Sequence, residues 1–455
     1  MNRSHFVERT DQATALLPLT RRALRDWVGA QAPAVAAWVE TSGFVAAPHT
    51  LLRIPDPPMV LLGLGDAPDL WSYASAPRIL PAGEYRIAAE LDAETATRAA
   101  LAWALGCYRF ETYKSSRTPT PRLCWPANAD RARVRREERA ILLVRNLVNT
   151  PANDLGPAEL AAAAQDVAGE HHATVRVLVG DELLEEGYHA IHAVGRASAR
   201  APRLIDLRWG DESAPRVTLV GKGVCFDSGG LNLKPGEGMR LMKKDMAGAA
   251  HVLALAQMIM DARLPVRLRV LIPAVENAIS GSAMRPLDVI RTRSGRTVEV
   301  GHTDAEGRLV LCDALTEASS EHPDLLIDMA TLTGAARVAL GPDLPALFCN
   351  DDELAAALAE AASATGDPLW RMPLWQPYAV DLEGRTADLN NISSNAFAGA
   401  IYAALFLQAF VPQDVSWAHF DVFGWNPKDR PGRPEGGEAQ ALRAIFRCLE
   451  DRYTG

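Results

Sequence analysis

The hydrophobic residues in the second half of the chain fall into short runs that alternate between strand-like and helix-like segments. Runs rich in valine, isoleucine and leucine, without regular polar alternation, predict strands covered on both faces. These strands are predicted at residues 174–179, 216–225, 266–275, 324–330 and 417–422. Helices are predicted at residues 158–168, 246–261, 309–320, 398–410 and 438–452. The alternation predicts an α/β fold with a mostly parallel, helix-covered sheet, in which ligands bind at the carboxyl ends of strands.

The first part of the chain predicts a separate α/β unit over residues 1–115. It combines a helix at 20–28, a buried strand at 59–64 and an alanine-rich helix at 93–108. A segment rich in proline, serine and arginine, 115–137, predicts a linker that ends at the start of a basic helix. We therefore expect a smaller N-terminal α/β domain over residues 1–130 and a larger C-terminal domain over residues 131–455.

The composition is that of a folded, acidic protein. Of the 455 residues, 48% are hydrophobic and 23% are charged, which excludes a wholly disordered chain. The net charge of −9 repels phosphate backbones on average, so nucleic acid is not an expected partner. The longest nearly apolar run, 252–260, is far shorter than the ~20 residues of a membrane helix, and from the first residues we expect no secretory signal. We expect a cytoplasmic protein with no membrane partner.

Cysteine and histidine supply no metal-binding motif. The six cysteines are scattered without paired spacing, which indicates reduced thiols and argues against a cysteine-type zinc site. The ten histidines include no HExxH zinc-protease sequence. Any catalytic metal must therefore be held mainly by carboxylates.

A first concentration of polar residues begins within the strand predicted at 216–225. The segment that continues from this strand is rich in glycine and contains Lys222, Asp227, Lys234 and Asp245. A charged amine inside an apolar strand is costly unless it is paired or neutralised. Asp227 lies at the strand exit and Asp245 opens an apolar helix, so both lie where ligands bind to such sheets.

A second cluster, Asp304, Glu306 and Arg308, precedes the next predicted helix. The three residues are spaced by two, so in an extended segment their side chains point to one face. The helix after them would place its positive end beside this site. Taken singly, Asp304 and Glu306 can also be helix-capping residues, Asp245 a charge at a helix N-terminus, and Asp313 is expected to be structural.

Taken together, three aspartates and one glutamate in glycine-rich loops would repel one another unless cations neutralise them. Two divalent ions about 3.5–4 Å apart can be bridged by carboxylates and can activate a water. A lysine amine can also ligate a metal, but only when it is deprotonated. The two clusters therefore predict a carboxylate-and-lysine site for a pair of metal ions.

The motifs around these residues resemble the leucyl aminopeptidase (cytosol aminopeptidase) family of dinuclear metallopeptidases. TDAEGRLVLCDAL at 303–315 is almost the family signature, and VGKGVCFDSGGLNLKP at 220–235 and MKKDMAGAA at 242–250 match two further metal-site motifs. Other family-like segments are RNLVNTPANDLGP at 145–157, MATLTGAA at 329–336 and AGAIYAALFL at 398–407. The resemblance covers residues 137–455 and is weak over the first 115 residues.

The resemblance implies a metal-binding role for five side chains. Asp227 and Glu306 would bridge two divalent ions per subunit, either Mn²⁺ or Zn²⁺. Asp304 would complete one metal site, and Lys222 and Asp245 would complete the other.

The resemblance also implies catalytic and substrate-binding roles. Lys234 would stabilise the developing oxyanion, and Arg308 would hold a bicarbonate ion that acts as a base. The implied activity is that of an aminopeptidase that releases N-terminal amino acids from peptides. In it, a water bound by both metals attacks the carbonyl, with bicarbonate-assisted proton transfer. A homo-hexamer is implied, with residues 131–455 as the catalytic metallopeptidase domain. The implied substrate-binding residues are Met242, Thr331, Leu332 and Gly334.

The chain departs from the family pattern at several positions. His302 stands where an asparagine is usual, and we expect it to form hydrogen bonds; an extra metal ligand is the alternative. Lys244 replaces a common aromatic residue and Ala247 a common glycine. Bulky Phe423 and Trp425 lie where small residues usually close the pocket. The preferred first side chain of the substrate is therefore left open.

Three other functions compete with the peptidase. A two-metal phosphoester hydrolase would use lysine and arginine side chains of the two clusters to bind phosphate, but the motif spacing favours the peptidase. A DNA-binding protein would need a basic groove, for which the arginine-rich stretch 131–139 is the candidate. A pseudoenzyme kept as a scaffold would lack a metal ligand, yet all five metal-binding side chains are present.

Overall fold

The computed structural model describes residues 5–8, 10, 12–114 and 120–454. The chain divides into two compact units, Met1–Leu142 with Lys428–Glu435, and Leu143–Pro427 with Gly436–Gly455. Each unit has its own sheet and its own helices, which confirms the α/β class. Within the described ranges, every helix is too short or too polar to cross a membrane.

The smaller unit is built on a mixed sheet flanked by helices. Across the sheet the strand order is Phe6–Val7, Arg122–Cys124, Glu84–Ile87, Thr14–Thr20, Met59–Gly65 and Leu51–Ile54. The last pair is antiparallel and the others are parallel. The helices are Arg21–Gly29, Pro33–Ser42, Ala76–Ile79 and Ala93–Cys107, with a 3₁₀ turn at Leu70–Tyr73. The helices predicted at 20–28 and 93–108 and the strand predicted at 59–64 are confirmed.

The linker predicted at 115–137 contains a strand that the sequence did not predict, whereas the basic helix start predicted at its end is confirmed. Arg122–Cys124 is a strand of the smaller sheet, and a helix already begins at Arg131 and runs to Asn149. Residues 115–119 lie outside the described residues. The proline-rich composition hid a short strand because Leu123, Cys124 and Trp125 supply only a three-residue apolar signal between two prolines, Pro121 and Pro126.

The arginine-rich stretch 131–139 is paired with carboxylates. An Arg133 guanidinium nitrogen lies 2.7 Å from Glu94, and another lies 2.7 Å from Glu137. Arg131 lies 2.9 Å from Glu8. These contacts pair two of the five arginines of the stretch with carboxylates.

The larger unit contains the mostly parallel sheet that the sequence predicts. Its inner strands are parallel, and antiparallel pairs occur toward both ends of the sheet. Gly223–Asp227 pairs alongside Arg267–Asn277 as an additional strand. The strand order is Trp370–Arg371, Ala346–Cys349, Trp417–Asp421, Leu325–Ala330, Arg216–Gly221, Arg267–Asn277, Arg203–Trp209 and Thr174–Val179.

Helices and short strands complete this unit. Predicted helices are confirmed with shifted ends; the last one begins later than expected, at Leu442. Smaller pairings join Val289–Arg291, Thr297–Glu299 and Leu389–Asn390, and separately Trp425–Asn426 and Gly436–Gly437. The helices are Pro157–Glu170, Glu182–Glu185, His189–Gly195, Gly236–Met239, Ala247–Ala262, Glu306–Ser319, Gly334–Leu340, Asp352–Thr365, Gly399–Gln408 and Leu442–Thr454, with 3₁₀ segments at Met242–Lys244 and Gln376–Leu382.

A buried histidine fixes the helix Ala247–Ala262 against the C-terminal segment. His251 Nδ1 lies 2.6 Å from the Ala247 carbonyl, and Nε2 accepts the Gln440 N–H at 2.9 Å. These two partners require the neutral ring with its proton on Nδ1. Burial lowers the pKa of His251 from 6.5 to about 4.

This pKa shift predicts a loss of stability in acid. Between the two pKa values the unfolded chain binds a proton that the folded chain excludes, so stability falls as pH falls through that window. The unfolding free energy of wild type should therefore drop on going from about pH 7 to about pH 5, and the drop should be about 2 kcal/mol smaller in the His251→Gln variant. Urea unfolding at both pH values measures this. Equal losses in the two proteins would contradict the buried neutral histidine.

Candidate metal centre

Lys222 interrupts the single strand that the sequence predicts here. The structure has two strands, Arg216–Gly221 and Gly223–Asp227, with Lys222 between them. The Lys222 N–H donates to the Met329 carbonyl at 3.0 Å, and its carbonyl accepts the Ala249 N–H at 2.9 Å. The break therefore lies at the carboxyl edge of the sheet, where ligands bind in α/β folds.

The Lys222 amine lies among buried oxygen atoms. It is 2.9 Å from Asp245 Oδ2 and 2.9 Å from Glu306 Oε1, and it donates to the Thr331 carbonyl at 2.9 Å. Gly307 makes this approach possible, because a Cβ at that position would lie 2.7 Å from the amine nitrogen. The first turn of the helix Glu306–Ser319 can therefore pass directly over the lysine.

The predicted extended segment of Asp304, Glu306 and Arg308 is wrong. A helix begins at Glu306 and runs to Ser319, so Glu306 and Arg308 both lie in its first turn. Residues two apart on a helix do not face one another. Glu306 accordingly joins the buried carboxylates, whereas Arg308 is directed elsewhere.

Lys234 joins Asp227 to Asp304. Its amine is 2.8 Å from Asp227 Oδ2 and 2.5 Å from Asp304 Oδ1. The other Asp227 oxygen accepts the Gly229 N–H at 2.9 Å and the Asn277 side-chain amide at 2.8 Å. Asp227 is therefore oriented by its own strand exit and by the neighbouring strand.

Asp245 follows the 3₁₀ segment Met242–Lys244 rather than opening a helix directly, since the helix begins at Ala247. The Thr331 hydroxyl donates to Asp245 Oδ1 at 2.7 Å. This bond leaves Oδ2 directed at the Lys222 amine. The threonine thus holds the orientation of the carboxylate.

The predicted residues converge on one cavity of about 490 Å³. Asp227, Asp245 and Glu306 each place an oxygen within 4.8 Å of the others'. Of the predicted residues, Arg308 does not line this cavity. Those that line it are Lys222, Asp227, Lys234, Met242, Asp245, Asp304, Glu306, Thr331, Leu332 and Gly334.

Arg308 is buried behind the cluster. Its guanidinium donates to the Asn391 carbonyl at 2.7 Å, while its Nε makes no hydrogen bond with the described residues. Burial lowers the pKa of Arg308 to about 10, against the opposing effect of Glu306 and Asp421. A desolvated guanidinium with an unsatisfied N–H is a suitable partner for an anion.

The charges of the cluster are unbalanced without further cations. Burial, and then repulsion from neighbouring carboxylates, raises the pKa values of Asp227 and Glu306. Burial opposes the charge on Lys222 and Lys234, but the surrounding carboxylates outweigh it and raise the pKa of both amines. Lys222 must lose this proton before it can ligate a metal.

The donor set fits divalent cations. Asp245 Oδ2, Asp304 Oδ1 and Glu306 Oε1 are buried and accept no hydrogen bond of normal geometry, although lysine amines lie within 2.9 Å. Buried oxygens without a hydrogen-bond donor are suitable cation ligands, and carboxylate-rich sets suit Mn²⁺. The same set with a neutral lysine nitrogen also suits Zn²⁺.

The positions that depart from the family pattern have distinct surroundings. His302 Nδ1 accepts the Asp304 N–H at 3.1 Å, so the imidazole stabilises the turn that carries Asp304. Phe423 lines the cavity, whereas Trp425 does not and instead contacts the Lys243 amine. The Ala247 methyl packs against Gly424, which has a φ of +66°. A Cβ at position 424 would lie only 2.6 Å from that methyl, so the glycine is needed there.

Two buried residues that form hydrogen bonds near the site were not predicted from the sequence. Asn277 bonds Asp227 and also donates to the Thr303 carbonyl at 3.1 Å. Asp421 accepts the Leu332 N–H at 2.9 Å and the Thr333 hydroxyl at 2.7 Å. Both residues end sheet strands, so their position at a carboxyl edge was the available signal.

Comparison with known proteins gives concordant family matches. The model of the cytosol aminopeptidase family catalytic domain matches residues 142–446, and that of the M17 aminopeptidase N-terminal domain matches residues 15–126. A probable cytosol aminopeptidase of Roseiflexus castenholzii is 44% identical over 365 residues, which are 76% of this chain and 74% of the relative.

Solved structures of similar proteins cover nearly the whole chain. The cytosol aminopeptidase from Coxiella burnetii has a TM-score of 0.96 and 51% identity, and the match covers 99% of both chains. The bottromycin maturation enzyme BotP, in complex with Mn, has a TM-score of 0.86 and 34% identity, covering 97% of this chain and 100% of that one.

Proposed function

The chain belongs to the cytosol aminopeptidase family and is a metal-dependent aminopeptidase; on this premise we propose that it hydrolyses peptides at a dinuclear site. The observation that carries this proposal is the buried cluster of Asp227, Asp245 and Glu306, whose oxygens lie within 4.8 Å of one another on an open cavity. Asp304 and Lys222 complete the set of proposed ligands.

Each proposed ligand has a position that supports its role. Asp227 and Glu306 come from different elements, and their carboxylate oxygens lie within 4.8 Å of each other, which supports a bridging role for both. Asp304 lies on the Lys234 side and Asp245 on the Lys222 side. Two divalent ions, Mn²⁺ or Zn²⁺, would polarise the scissile carbonyl and lower the pKa of a shared water.

The surrounding residues bind and orient the peptide. Lys234 is partly exposed to the cavity and would donate to the carbonyl oxygen as negative charge develops there. The Leu332 N–H is bound by Asp421, so the backbone group that Leu332 offers to a substrate is its carbonyl. Met242, Thr331 and Gly334 line the same cavity and would contact the first side chain.

Arg308 would hold bicarbonate, which supplies a proton acceptor when bound. The unsatisfied Nε of its buried guanidinium supports this proposal. We also propose a cytoplasmic homo-hexamer, for which family membership is the support. Sedimentation equilibrium measures the assembly directly, and a monomeric mass would contradict it.

Activity before and after metal removal tests the proposed function. We expect the chelator-treated protein to lose hydrolysis of leucine p-nitroanilide and to regain it on addition of Mn²⁺. p-Nitrophenyl phosphate, assayed under the same conditions, should not be cleaved. Phosphate release with no amide cleavage would instead favour a two-metal phosphoester hydrolase.

A further inference from the structure

Three side chains outside the carboxylate cluster shape the rest of the cavity. Lys244, Phe423 and Arg337 all line it. The Lys244 amine lies 4.5 Å from the centre of the Phe423 ring, and the Arg337 guanidinium carbon lies 5.2 Å from the same centre. Two cationic groups therefore share one aromatic ring beside the proposed metal centre.

Neither cation has an anionic partner among the described residues. Lys244 is only 5% exposed, yet its amine makes no hydrogen bond or ion pair in the described part of the chain. Arg337 is exposed, and its guanidinium likewise pairs with no described carboxylate. An aromatic face compensates only part of the cost of burying a cation.

Apart from the proposed metal ligands, Asp421 is a further carboxylate whose charge acts on the Lys244 amine, and its oxygens already accept hydrogen bonds from the Leu332 N–H and the Thr333 hydroxyl. Asp227, Asp245, Asp304 and Glu306 are the proposed metal ligands, and the remaining carboxylate that lines the cavity, Glu237, is exposed. Donor groups therefore remain unmatched on the wall of the cavity. Such a wall favours a carboxylate that can accept hydrogen bonds from an amine and a guanidinium.

The location of these donors connects them with the first residue of a substrate. Lys244 immediately precedes Asp245, and Phe423 follows the strand that ends at Asp421. A peptide whose terminal amine and carbonyl lie at the metal centre extends its first side chain into the adjoining wall of the same cavity.

We infer that this aminopeptidase favours peptides whose first residue is acidic, and that Lys244 and Arg337 bind its carboxylate. The inference rests on the proposed function of the same cavity. It predicts that glutamate is favoured over glutamine, which has the same shape without the charge. Each hydrogen bond to a charged group raises affinity by more than about tenfold. The preference for glutamate over glutamine should therefore be at least about tenfold in kcat/KM.

The test compares glutamate, glutamine and leucine p-nitroanilides with the full-length, Mn²⁺-loaded enzyme. We expect the glutamate-to-glutamine ratio of kcat/KM to fall toward unity in Lys244→Met and in Arg337→Gln. The matched control is Lys243→Met, because the neighbouring Lys243 amine bonds the Asn149 carbonyl and does not line the cavity. This variant should keep the wild-type ratio.

The outcomes separate this inference from the proposed function. Cleavage of leucine p-nitroanilide with a glutamate-to-glutamine ratio near or below one would overturn the acidic preference while leaving the aminopeptidase intact. A high ratio that neither variant lowers would overturn the assignment to Lys244 and Arg337. The ratio is measured within one enzyme, so a general loss of activity does not imitate either result. Arg337 is exposed, so its variant remains informative if Lys244→Met does not fold.

Discussion

The Glu306→Gln variant should lose aminopeptidase activity by at least about 10³-fold in kcat/KM, equivalent to about 4 kcal/mol of transition-state stabilisation. The change keeps the size of the side chain but removes one of the two proposed bridging charges. Glu306 is 1% exposed and lies 2.9 Å from the Lys222 amine, at the centre of the proposed ligand cluster with Asp227 and Asp245. Hydrolysis of leucine p-nitroanilide at saturating Mn²⁺ measures the loss.

Glu237→Gln is the matched control for this variant. It makes the same chemical change in the same cavity, but at an exposed carboxylate outside the ligand cluster. We expect it to retain activity within a few fold of wild type. Activity of Glu306→Gln within about tenfold of wild type would contradict its place in the metal centre.

The Asp313→Ala variant should lose about 3–4 kcal/mol of unfolding free energy, because several buried backbone N–H groups lose their hydrogen-bond acceptor. One Asp313 oxygen accepts the N–H groups of Ala190 at 2.8 Å and Ile191 at 3.3 Å. The other accepts the Arg293 N–H at 2.8 Å. The aspartate thereby joins the helix Glu306–Ser319 to two other segments.

Urea unfolding measures this loss against Asp211→Ala. Asp211 also accepts a backbone N–H, from Ser213 at 2.8 Å, but in an exposed turn where water replaces the lost acceptor. That control should cost less than about 1 kcal/mol. If both variants lose the same free energy, the buried hydrogen bonds of Asp313 do not contribute as argued.

The structural role of Asp313 was predictable from its sequence position, and its partners were not. The residue falls on the helix of the signature motif, beyond the metal-binding turn. Its three backbone donors come from segments distant in sequence, which no local pattern connects. A single chain contains the periodicity of each element but not the register between elements.

The central α/β alternation was predictable because each strand is a short, nearly continuous apolar run between helices. The two errors near the site have a common physical cause. The strand breaks at Lys222 within an apolar run, where the Lys222 backbone bonds Met329 and Ala249. The helix begins at Glu306 within a polar run. In both places the tertiary environment, rather than local hydrophobicity, decides where the element ends.

The proposed metal ligands were predictable from carboxylates gathered at strand exits, together with the family motifs. The unpaired cations of the cavity were not, because Lys244 and Arg337 are far apart in sequence and meet only at Phe423. The substitution of an aromatic residue by Lys244 was visible, but its consequence depends on what packs around the amine. The structure supplies that environment.

The most direct test of the dinuclear centre is the number of cations that restores activity. Protein stripped with a chelator is titrated with Mn²⁺, and hydrolysis of leucine p-nitroanilide is followed against equivalents of metal bound per chain. We predict no activity without metal and full activity at two bound ions per chain. Full activity in the stripped protein, or saturation with one bound ion, would contradict it.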